Sequence, residues 1–483
     1  MNIGQFPARL LRLHITRAIT MDALAILISL GLLMFLAYRG ITVLILAPLM
    51  ASLALLLSGE ALYMLPTYTQ VFMKELGGYV IKFFPLFILG SLFGQLMSDC
   101  GAARTIAQKL MKVLGPRHAI LTVVLACGIL TYGGVSLFVV AFAVYPIGAV
   151  LFRESNTPKR YMPGAIALGS FTFTMTALPG APSIQNAIPT PYLGTTTFAA
   201  PGLGILCGVF MLVVGTYLLQ RWASKAMAGG EGYGEHDERN LATGGEDSSN
   251  PAFLPSIIPV ILVISLNALF SYLILPGMDL TFLQQERFGN ATPASVIGLW
   301  SVLLALMVAI VATILLHWRR WVNLKESVNK GAFGCFLPIL NTASEVAYGA
   351  IIASLAGFAA IRAALMNLSP ENPLISVVLT MNVLSGITGS SSGGLSIAFR
   401  TLGADYLSMV QAAGLSPDVL HRVAVIAAGG LDTLPHSGAV ITLLAICGLT
   451  HRQAYPPILM MTIVVPLITT VLAVTLGSLF GAF

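Results

Sequence analysis

Runs of about twenty consecutive apolar residues recur along this chain, a length that spans the hydrocarbon core of a bilayer as a helix. Examples lie at residues 21–38, 41–57, 203–219, 257–275, 295–316 and 456–480. The strands of a membrane β-barrel would instead be shorter, alternating segments. Only 9% of the 483 residues are charged, against about a quarter in a soluble domain. The sequence therefore predicts an all-α, polytopic membrane protein.

The formal net charge of +6 arises from basic residues that cluster beside the apolar runs. Such clusters are typical of loops that flank a membrane, so they indicate a lipid bilayer as partner and not nucleic acid. The five cysteines lack the spacing of a metal site or a disulfide framework. The chain also has no phosphate-cradling loop, nucleophile elbow or metal-binding helix motif. We therefore expect neither an enzyme nor a protein with a cofactor or a bound metal.

One polar stretch divides the chain into two apolar halves. Residues 223–254 are rich in glycine and acidic residues, which predicts a flexible linker because such a segment cannot bury enough apolar surface to fold alone. The linker separates a first repeat at residues 21–222 from a second repeat at residues 255–483. Residues 1–20 form a basic amino-terminal tail.

Two short motifs occur once in each half. Gly133-Gly134-Val135-Ser136 corresponds to Gly393-Gly394-Leu395-Ser396, an offset of 260 positions from Gly133 to Gly393. Thr176-Ala177-Leu178-Pro179 corresponds to Asp432-Thr433-Leu434-Pro435, an offset of 256 positions from Thr176 to Asp432. Glycine and proline interruptions at matching places of two apolar halves indicate the binding site of a secondary transporter.

Each half is predicted to contain a re-entrant hairpin, in which two short helices enter and leave the membrane on the same side. Residues 118–152 lie between two basic loops and are too few for two full spans. Two half-length helices would therefore meet at residues 132–134. The corresponding hairpin of the second half lies at about residues 374–410, with a polar tip at residues 388–394.

A long apolar segment with a break near its middle follows each hairpin. The first covers about residues 161–190 and is interrupted at Pro179 and Gly180, and the second covers about residues 420–449 and is interrupted at Pro435. Proline removes a backbone donor, and glycine permits an unwound backbone. The free N–H groups and positive dipole end of a half-helix favour an anion.

We predict that the two hairpin tips and the two broken helices converge on one small polar cavity that binds the substrate. The residues assigned to this cavity are Gly133, Gly134, Ser136, Thr176, Gly180, Ser183, Gln185, Asn186, Ser390, Ser391, Ser392, Gly393, Gly394, Ser396, Thr433 and Ser437. For a single small residue the alternative is close helix packing. The pairing of duplicated clusters with helix breaks favours a site.

Neither break carries a lysine or an arginine. Dipoles and hydrogen bonds would then hold the anion, which indicates one carboxylate and not a di- or tricarboxylate. Arg400, a few residues beyond the polar tip, is a candidate for a direct anion contact. Arg422 is expected to anchor a loop at the membrane interface.

Glu345, Asp432 and His436 are ionisable residues within apolar segments. Charge at membrane depth is unfavourable, so such residues usually face the protein interior and mark ion or proton paths. We predict that one of the three carries a coupled proton. The alternatives are a neutral His436 bonded to an unwound carbonyl and a Glu345 at the membrane interface. Serine- and carbonyl-rich tips also suit sodium, so the coupling ion stays open.

Four segments resemble the gluconate permease family of bacterial proton symporters. They are Tyr132-Gly-Gly-Val-Ser-Leu-Phe, Thr172-Phe-Thr-Met-Thr-Ala-Leu-Pro-Gly-Ala-Pro-Ser-Ile-Gln-Asn, Asn341-Thr-Ala-Ser-Glu-Val-Ala-Tyr-Gly and Gly429-Gly-Leu-Asp-Thr-Leu-Pro-His-Ser-Gly. The resemblance covers nearly the whole chain except the tail and the linker. It implies two inverted-topology repeats, a scaffold with an elevator-type transport domain, a homodimer and a location in the bacterial inner membrane.

The sequence departs from the sugar-acid branch of that family at both breaks. That branch carries His-Pro-Gly-Pro-Thr at the first break and an acidic residue before the Ser-Gly of the second. Here the first break is Leu178-Pro-Gly-Ala-Pro-Ser, and His436 precedes Ser437-Gly438. The chain looks more similar to the branch associated with short acids such as 3-hydroxybutyrate.

The function that these observations predict is a proton-coupled symporter that imports a small organic monocarboxylate. The substrate would be a short hydroxy acid such as 3-hydroxybutyrate or a sugar acid such as gluconate. The alternatives are a sodium- or proton-coupled carrier of citrate or another carboxylate, and a passive anion channel. Duplicated broken helices favour alternating access over the channel.

Overall fold

The computed structural model describes residues 22–33, 35–37, 39, 41–236, 250–366, 369, 372–435 and 437–483. Every regular element in these residues is a helix and none is a strand, so the predicted all-α fold is confirmed. The basic tail predicted at residues 1–20 and His436 lie outside the described residues.

The helices of the first half differ widely in length, and three of them have only four residues. Turns at residues 61–72 lead into the longest early helix. The helices are α1 (Val43–Leu57), α2 (Met73–Asp99), α3 (Ala102–Leu114), α4 (Ala119–Tyr132), α5 (Leu137–Glu154), α6 (Met162–Phe171), α7 (Phe173–Thr176), α8 (Ile184–Ala187), α9 (Thr190–Leu193) and α10 (Pro201–Ala228).

The second half begins with two long helices and continues with shorter ones. A π-helical turn at residues 270–274 extends the first of them. The helices are α11 (Phe253–Leu269), α12 (Pro293–Leu316), α13 (Leu324–Phe333), α14 (Phe336–Ser354), α15 (Ala356–Met366), α16 (Pro373–Thr388), α17 (Ser391–Ala412), α18 (Pro417–Ala428), α19 (Gly438–Cys447), α20 (His451–Leu459) and α21 (Val465–Phe480).

The number of long apolar helices indicates a multi-pass membrane protein. Within the described residues, six helical segments are long and apolar enough to cross a bilayer, namely Ala61–Asp99, Pro201–Ala228, Phe253–Ile274, Pro293–Leu316, Leu324–Ser354 and His451–Phe480. A pair bent by 107°, Ala102–Leu114 with Pro116–Tyr132, would be a seventh if it forms one span. Large apolar side chains such as Ile81 and Leu315 are exposed on these segments, as lipid-facing residues are.

Each predicted hairpin is a pair of helices in contact. Residues 133–136 join α4 to α5, and Gly389 and Ser390 join α16 to α17. Gly389 has a φ of 64°, the left-handed conformation that ends a helix. The Ser390 hydroxyl accepts a hydrogen bond from the Gly393 N–H (3.1 Å) and caps α17. The polar tip predicted at residues 388–394 is therefore mostly the first turn of α17.

Both predicted broken helices are interrupted, the first over a longer stretch than expected. α6 ends at Phe171, and Thr172, with a φ of −114° and a ψ of −113°, separates it from the single turn of α7. Residues 177–183 then lead to α8 without a helix. In the second half, residues 429–437 separate α18 from α19.

The segment predicted as a linker is partly helical. α10 continues to Ala228 because Trp222, Ala223 and Ala226 pack against the hydrophobic core. Beyond the helix, Glu231 accepts a hydrogen bond from Arg160 (2.6 Å), which fixes the chain to the loop before α6. Residues 237–249 lie outside the described residues.

Gly169 lets α6 approach α4 closely. A Cβ atom at Gly169 would lie 2.5 Å from the Val124 carbonyl oxygen and 2.6 Å from Cys127 Cβ. We expect Gly169→Ala to destabilise the protein by roughly 1–3 kcal/mol through overpacking, measured as a lower thermal-unfolding midpoint in detergent. Gly90→Ala is the control, because a Cβ at Gly90 meets no atom within 4 Å. Equal midpoints for the two variants would contradict this prediction.

Candidate functional site

The amino end of α17 is the most polar interior point of the second hairpin. The Ser390 and Ser392 hydroxyls lie 3.1 Å apart, and the Ser396 hydroxyl donates to the Ser392 carbonyl (2.7 Å). The first N–H groups of a helix have no partner within the helix, and the dipole is positive there. This end of α17 can therefore accept an anion.

Residues from both breaks meet at Ser391, the first residue of α17. The Gln185 side-chain amide, from the first break, donates to the Ser391 hydroxyl (3.1 Å). The Asp432 side chain, from the second break, lies against the same residue. The structure thus brings together three of the four predicted interruptions.

Glu345 on α14 lies against the same turn of α17. A Cβ atom added at Gly393 would overlap Glu345 Oε2, so the carboxylate touches the α17 backbone where a side chain is absent. A Cβ at Gly394 would likewise overlap the Ser385 hydroxyl of α16. The two glycines therefore allow α14, α16 and α17 to meet at the tip. Glu345 is 4% exposed, so it is an interior residue of the protein.

Several buried polar atoms near this tip have no hydrogen-bond partner among the described residues. They are Gln185 Oε1, Glu345 Oε2, Ser385 Oγ and Asp432 Oδ1, and a fifth such atom, Asn382 Oδ1, lies against Gly430 of the second break. Buried polar groups are nearly always paired with protein, water or a ligand, so a cluster of unpaired atoms indicates a place where a ligand, an ion or water binds. The predicted cavity residues located at this tip are Gln185, Ser390, Ser391, Ser392, Gly393, Gly394 and Ser396.

Arg422 holds the first break together, which corrects its expected role as a loop anchor. It is fully buried, and its guanidinium donates to the carbonyls of Thr176 (3.4 Å), Thr197 (3.0 Å) and Ala199 (3.0 Å). It also donates to Asn186 Oδ1 (3.1 Å). A cation on α18 therefore satisfies one carbonyl at the first break and two in the loop between α9 and α10, where helices that have ended leave oxygens without donors.

Four predicted cavity residues of the first break have protein partners. The Asn186 amide donates to the Thr197 carbonyl (2.8 Å), and the Ser183 hydroxyl donates to the Met175 carbonyl (2.7 Å). The Thr176 hydroxyl donates to the Thr172 carbonyl (3.1 Å). A Cβ atom at Gly180 would overlap the Phe198 ring. These four residues therefore stabilise the conformation of the first break.

The tip of the first hairpin contacts the first break. The Tyr132 hydroxyl donates to the Pro179 carbonyl (2.7 Å), and a Cβ at Gly134 would lie 3.0 Å from Pro182 Cγ. A Cβ at Gly133 would overlap Val260 of α11, and the Ser136 backbone lies against Gly94 of α2. Among the described residues, no hydrogen bond joins Gly133, Gly134 or Ser136 to the α17 tip, so the predicted convergence of both hairpin tips is not seen in these contacts.

Thr433 and Arg400 have protein partners of their own, and Ser437 is part of the buried interior. The Thr433 hydroxyl donates to Thr462 (2.6 Å), and Ser437 is buried at the start of α19. Arg400 pairs with Glu75 of α2 through Nε (2.7 Å) and a second nitrogen, at a site open to solvent or lipid headgroups.

Sequence reasoning missed Asn382 and Ser385 of α16 and misassigned Arg422. The available signals were a His421-Arg422 pair inside an otherwise apolar stretch from Val419 to Ala428, and two polar residues spaced by three positions in an apolar helix. Residues three apart share one face of a helix. The missed polar residues therefore lie on the face of α16 that reaches the tip.

Comparisons with known proteins point to membrane transport. A family model described as GntP family permease matches residues 21–430. The protein named uncharacterized transporter YxjC of Bacillus subtilis (strain 168) is 43% identical over 457 residues, which cover 92% of this chain and 96% of that protein. The solved structure of Neisseria gonorrhoeae MtrF, described as illuminating a class of antimetabolite efflux pumps, has a TM-score of 0.52 at 13% identity. That match covers 88% of this chain and 85% of the other, and it shows a shared fold.

We expect Arg422→Lys to lower the stability of the protein strongly. A single ammonium cannot reach four acceptors spread over the first break and the loop before α10, so buried carbonyls lose charged donors, at a cost on the order of 3 kcal/mol. The measurement is the thermal-unfolding midpoint in detergent. Arg362→Lys is the matched control, because Arg362 pairs with Asp405 at an exposed position. Similar midpoints for both variants would show that Arg422 does not hold the break.

Proposed function

Because this chain belongs to the GntP family of permeases, we propose that it is a proton-coupled symporter that imports a small organic monocarboxylate. The cargo is a short hydroxy acid such as 3-hydroxybutyrate or a sugar acid such as gluconate. The proposal includes two inverted repeats, an elevator-type movement, a homodimer and a location in the bacterial inner membrane.

The observation that carries this proposal is the pair of buried carboxylates beside the α17 tip. Glu345 is 4% exposed and Asp432 is 9% exposed, and each has one oxygen without a hydrogen-bond partner in the described part of the chain. No ion pair to either carboxylate is found among the described residues. An uncompensated buried charge is strongly unfavourable, so these groups need a proton or a bound cation.

The substrate carboxylate would bind at the amino end of α17. The Ser390, Ser391 and Ser392 hydroxyls provide donors there, next to N–H groups that precede the first intrahelical hydrogen bond. The unpaired Gln185 and Asn382 carbonyl oxygens are acceptors for the hydroxyl groups of a hydroxy acid. One anionic group and adjacent acceptors suit a hydroxy-monocarboxylate better than a tricarboxylate.

Electrostatics couples the proton to the acid in this arrangement. An ionised Asp432 or Glu345 repels a substrate carboxylate near Ser391, and the repulsion is strong because the interior screens charge poorly. Protonation removes that repulsion. Proton and acid therefore favour each other's binding, which is the thermodynamic condition for symport.

Sodium is the specific alternative for the coupling ion. A carboxylate with hydroxyl and carbonyl oxygens nearby is a ligand set that a hard cation accepts as well as a proton. A sodium-coupled carrier of citrate or another carboxylate would use the same residues. A passive anion channel would need no coupling group at all.

We expect Glu345→Gln and Asp432→Asn to abolish concentrative uptake in proteoliposomes. With an acidic outer buffer, wild-type protein should accumulate labelled 3-hydroxybutyrate or gluconate. Each variant should accumulate at least tenfold less of the acid, because the side chain that carries the proton is gone. Exchange of labelled for unlabelled acid should persist. Asp279→Asn, at an exposed loop carboxylate, is the control.

The outcomes of this experiment separate the candidate functions. Full proton-driven uptake by both variants overturns the assignment of the carboxylates. Uptake that follows a sodium gradient and ignores the pH gradient supports the sodium carrier. Uptake that never exceeds equilibrium supports the channel.

A further inference from the structure

A lysine lies near the middle of the first long apolar span. Lys82 belongs to the segment Ala61–Asp99 and is partly buried. Its ammonium lies 4.1 Å from the centroid of the Tyr192 ring, and this ring stacks on Phe399 at 5.9 Å. Lys82 of α2 thus faces α9, next to the first break, and α17, the helix of the polar tip. An ionisable residue at membrane depth usually has a functional role.

Lys82 differs from the other two cations near the candidate site. Arg422 is bonded to carbonyls on all sides, and Arg400 is paired with the Glu75 carboxylate. Lys82 has aromatic contacts but no hydrogen-bond acceptor or carboxylate partner among the described residues. A π face attracts an ammonium group without neutralising its charge, so Lys82 keeps the capacity to bind an anion.

Lys82, Arg400 and Glu75 together carry a net positive charge. Arg400 is close enough to Lys82 to interact electrostatically, and Glu75 is the carboxylate paired with Arg400. Two positive groups and one negative group leave one positive charge. A partly buried region of one sign concentrates ions of the opposite sign. This charge matches a monoanion.

Tyrosine hydroxyls connect this region with the coupling carboxylates. Tyr79, on the same face of α2 one turn before Lys82, is buried, and its hydroxyl has no hydrogen-bond partner among the described residues. It lies within electrostatic reach of both Tyr192 and Glu345. A path of polar groups therefore runs from the exposed Glu75–Arg400 pair, past Lys82, to the α17 tip.

We propose that Lys82 binds the carboxylate of the transported acid in a vestibule formed by α2, α9 and α17, before the acid reaches the α17 tip. This inference rests on the proposed function. Tyr192 holds the ammonium in place while the vestibule is empty, and an arriving carboxylate takes over as its partner. Lys82 thus selects for an anionic group, whereas the serines of the tip recognise the remaining polar atoms.

Binding measurements on purified protein in lipid nanodiscs test this role. The probes are labelled 3-hydroxybutyrate, gluconate and the uncharged methyl ester of 3-hydroxybutyrate. Wild-type protein should bind one of the acids at least tenfold more tightly than the ester. Lys82→Met and Lys82→Gln should weaken binding of the acid at least tenfold and leave ester binding unchanged. Lys82→Arg should stay within about threefold of wild type, since it keeps the positive charge and a guanidinium also binds an aromatic face.

Lys74→Met is the matched control, because Lys74 is an exposed lysine of the same helix. Its affinity for the acid should equal that of wild type, and the thermal midpoints of all variants should agree. Unchanged acid binding by Lys82→Met and Lys82→Gln, with binding by wild type intact, overturns the role of Lys82 and leaves the proposed function standing. Failure of the wild-type protein to bind either acid overturns the proposed function and this inference together.

Discussion

The contact between the Arg422 guanidinium and the carbonyls of Thr176, Thr197 and Ala199, at the first break and in the loop before α10, is the interaction on which the interior depends. A helix that stops within a membrane leaves carbonyl groups without donors, in a place where water cannot supply them. Arg422 donates four hydrogen bonds, three to backbone carbonyls and one to Asn186. Because the arginine belongs to α18 and the carbonyls to the first half, the same contact joins the two broken helices. The polar tip of the second hairpin is built against this joined pair.

Buried polar atoms are paired in one part of the interior and unpaired in another. Around Arg422 the polar atoms are matched with one another, and His421 beside it bonds to Thr195 (2.7 Å) and Asn186 (3.3 Å). Around the α17 tip they are unmatched, with two carboxylates and three neutral polar atoms left open. Matched networks make a structure rigid, and unmatched ones are tolerated where a ligand completes them. The contrast indicates a rigid first break and supports the proposal that the substrate binds at the second hairpin.

The fold class and the positions of the interruptions could be predicted from the sequence because both depend on local chemistry. Long apolar runs specify spanning helices, and glycine and proline specify where they stop. The resemblance to the gluconate permease family is confirmed at the level of the GntP family. The branch near 3-hydroxybutyrate carriers stays a prediction.

The roles of individual polar residues could not be predicted in the same way. Ser391 and Asn186 are both polar residues at breaks, yet Ser391 lies among unpaired atoms whereas Asn186 is fully bonded. The difference depends on residues more than 200 positions away, Gln185 for Ser391 and Arg422 for Asn186. The position of Lys82 could not be predicted from the sequence either, because Lys82 approaches α17 from α2, a helix that contains neither break. Local sequence patterns identify polar residues, but the tertiary structure determines which of them lack a protein partner and can bind a ligand.

The close approach of α14 and α17 has a consequence for any transport cycle. Glycine replaces a side chain on each helix, Gly393 against Glu345 and Gly349 against Ile397, where an added Cβ atom would lie 2.7 Å from the isoleucine. Helices fitted together at two such points resist sliding past each other, because every displacement forces atoms to overlap. A movement that carries the serine-rich turn of α17 across the bilayer must carry Glu345 with it. Under the proposed function, the number of coupling ions moved per substrate molecule would then follow from this fixed contact and not from the order in which ion and substrate bind.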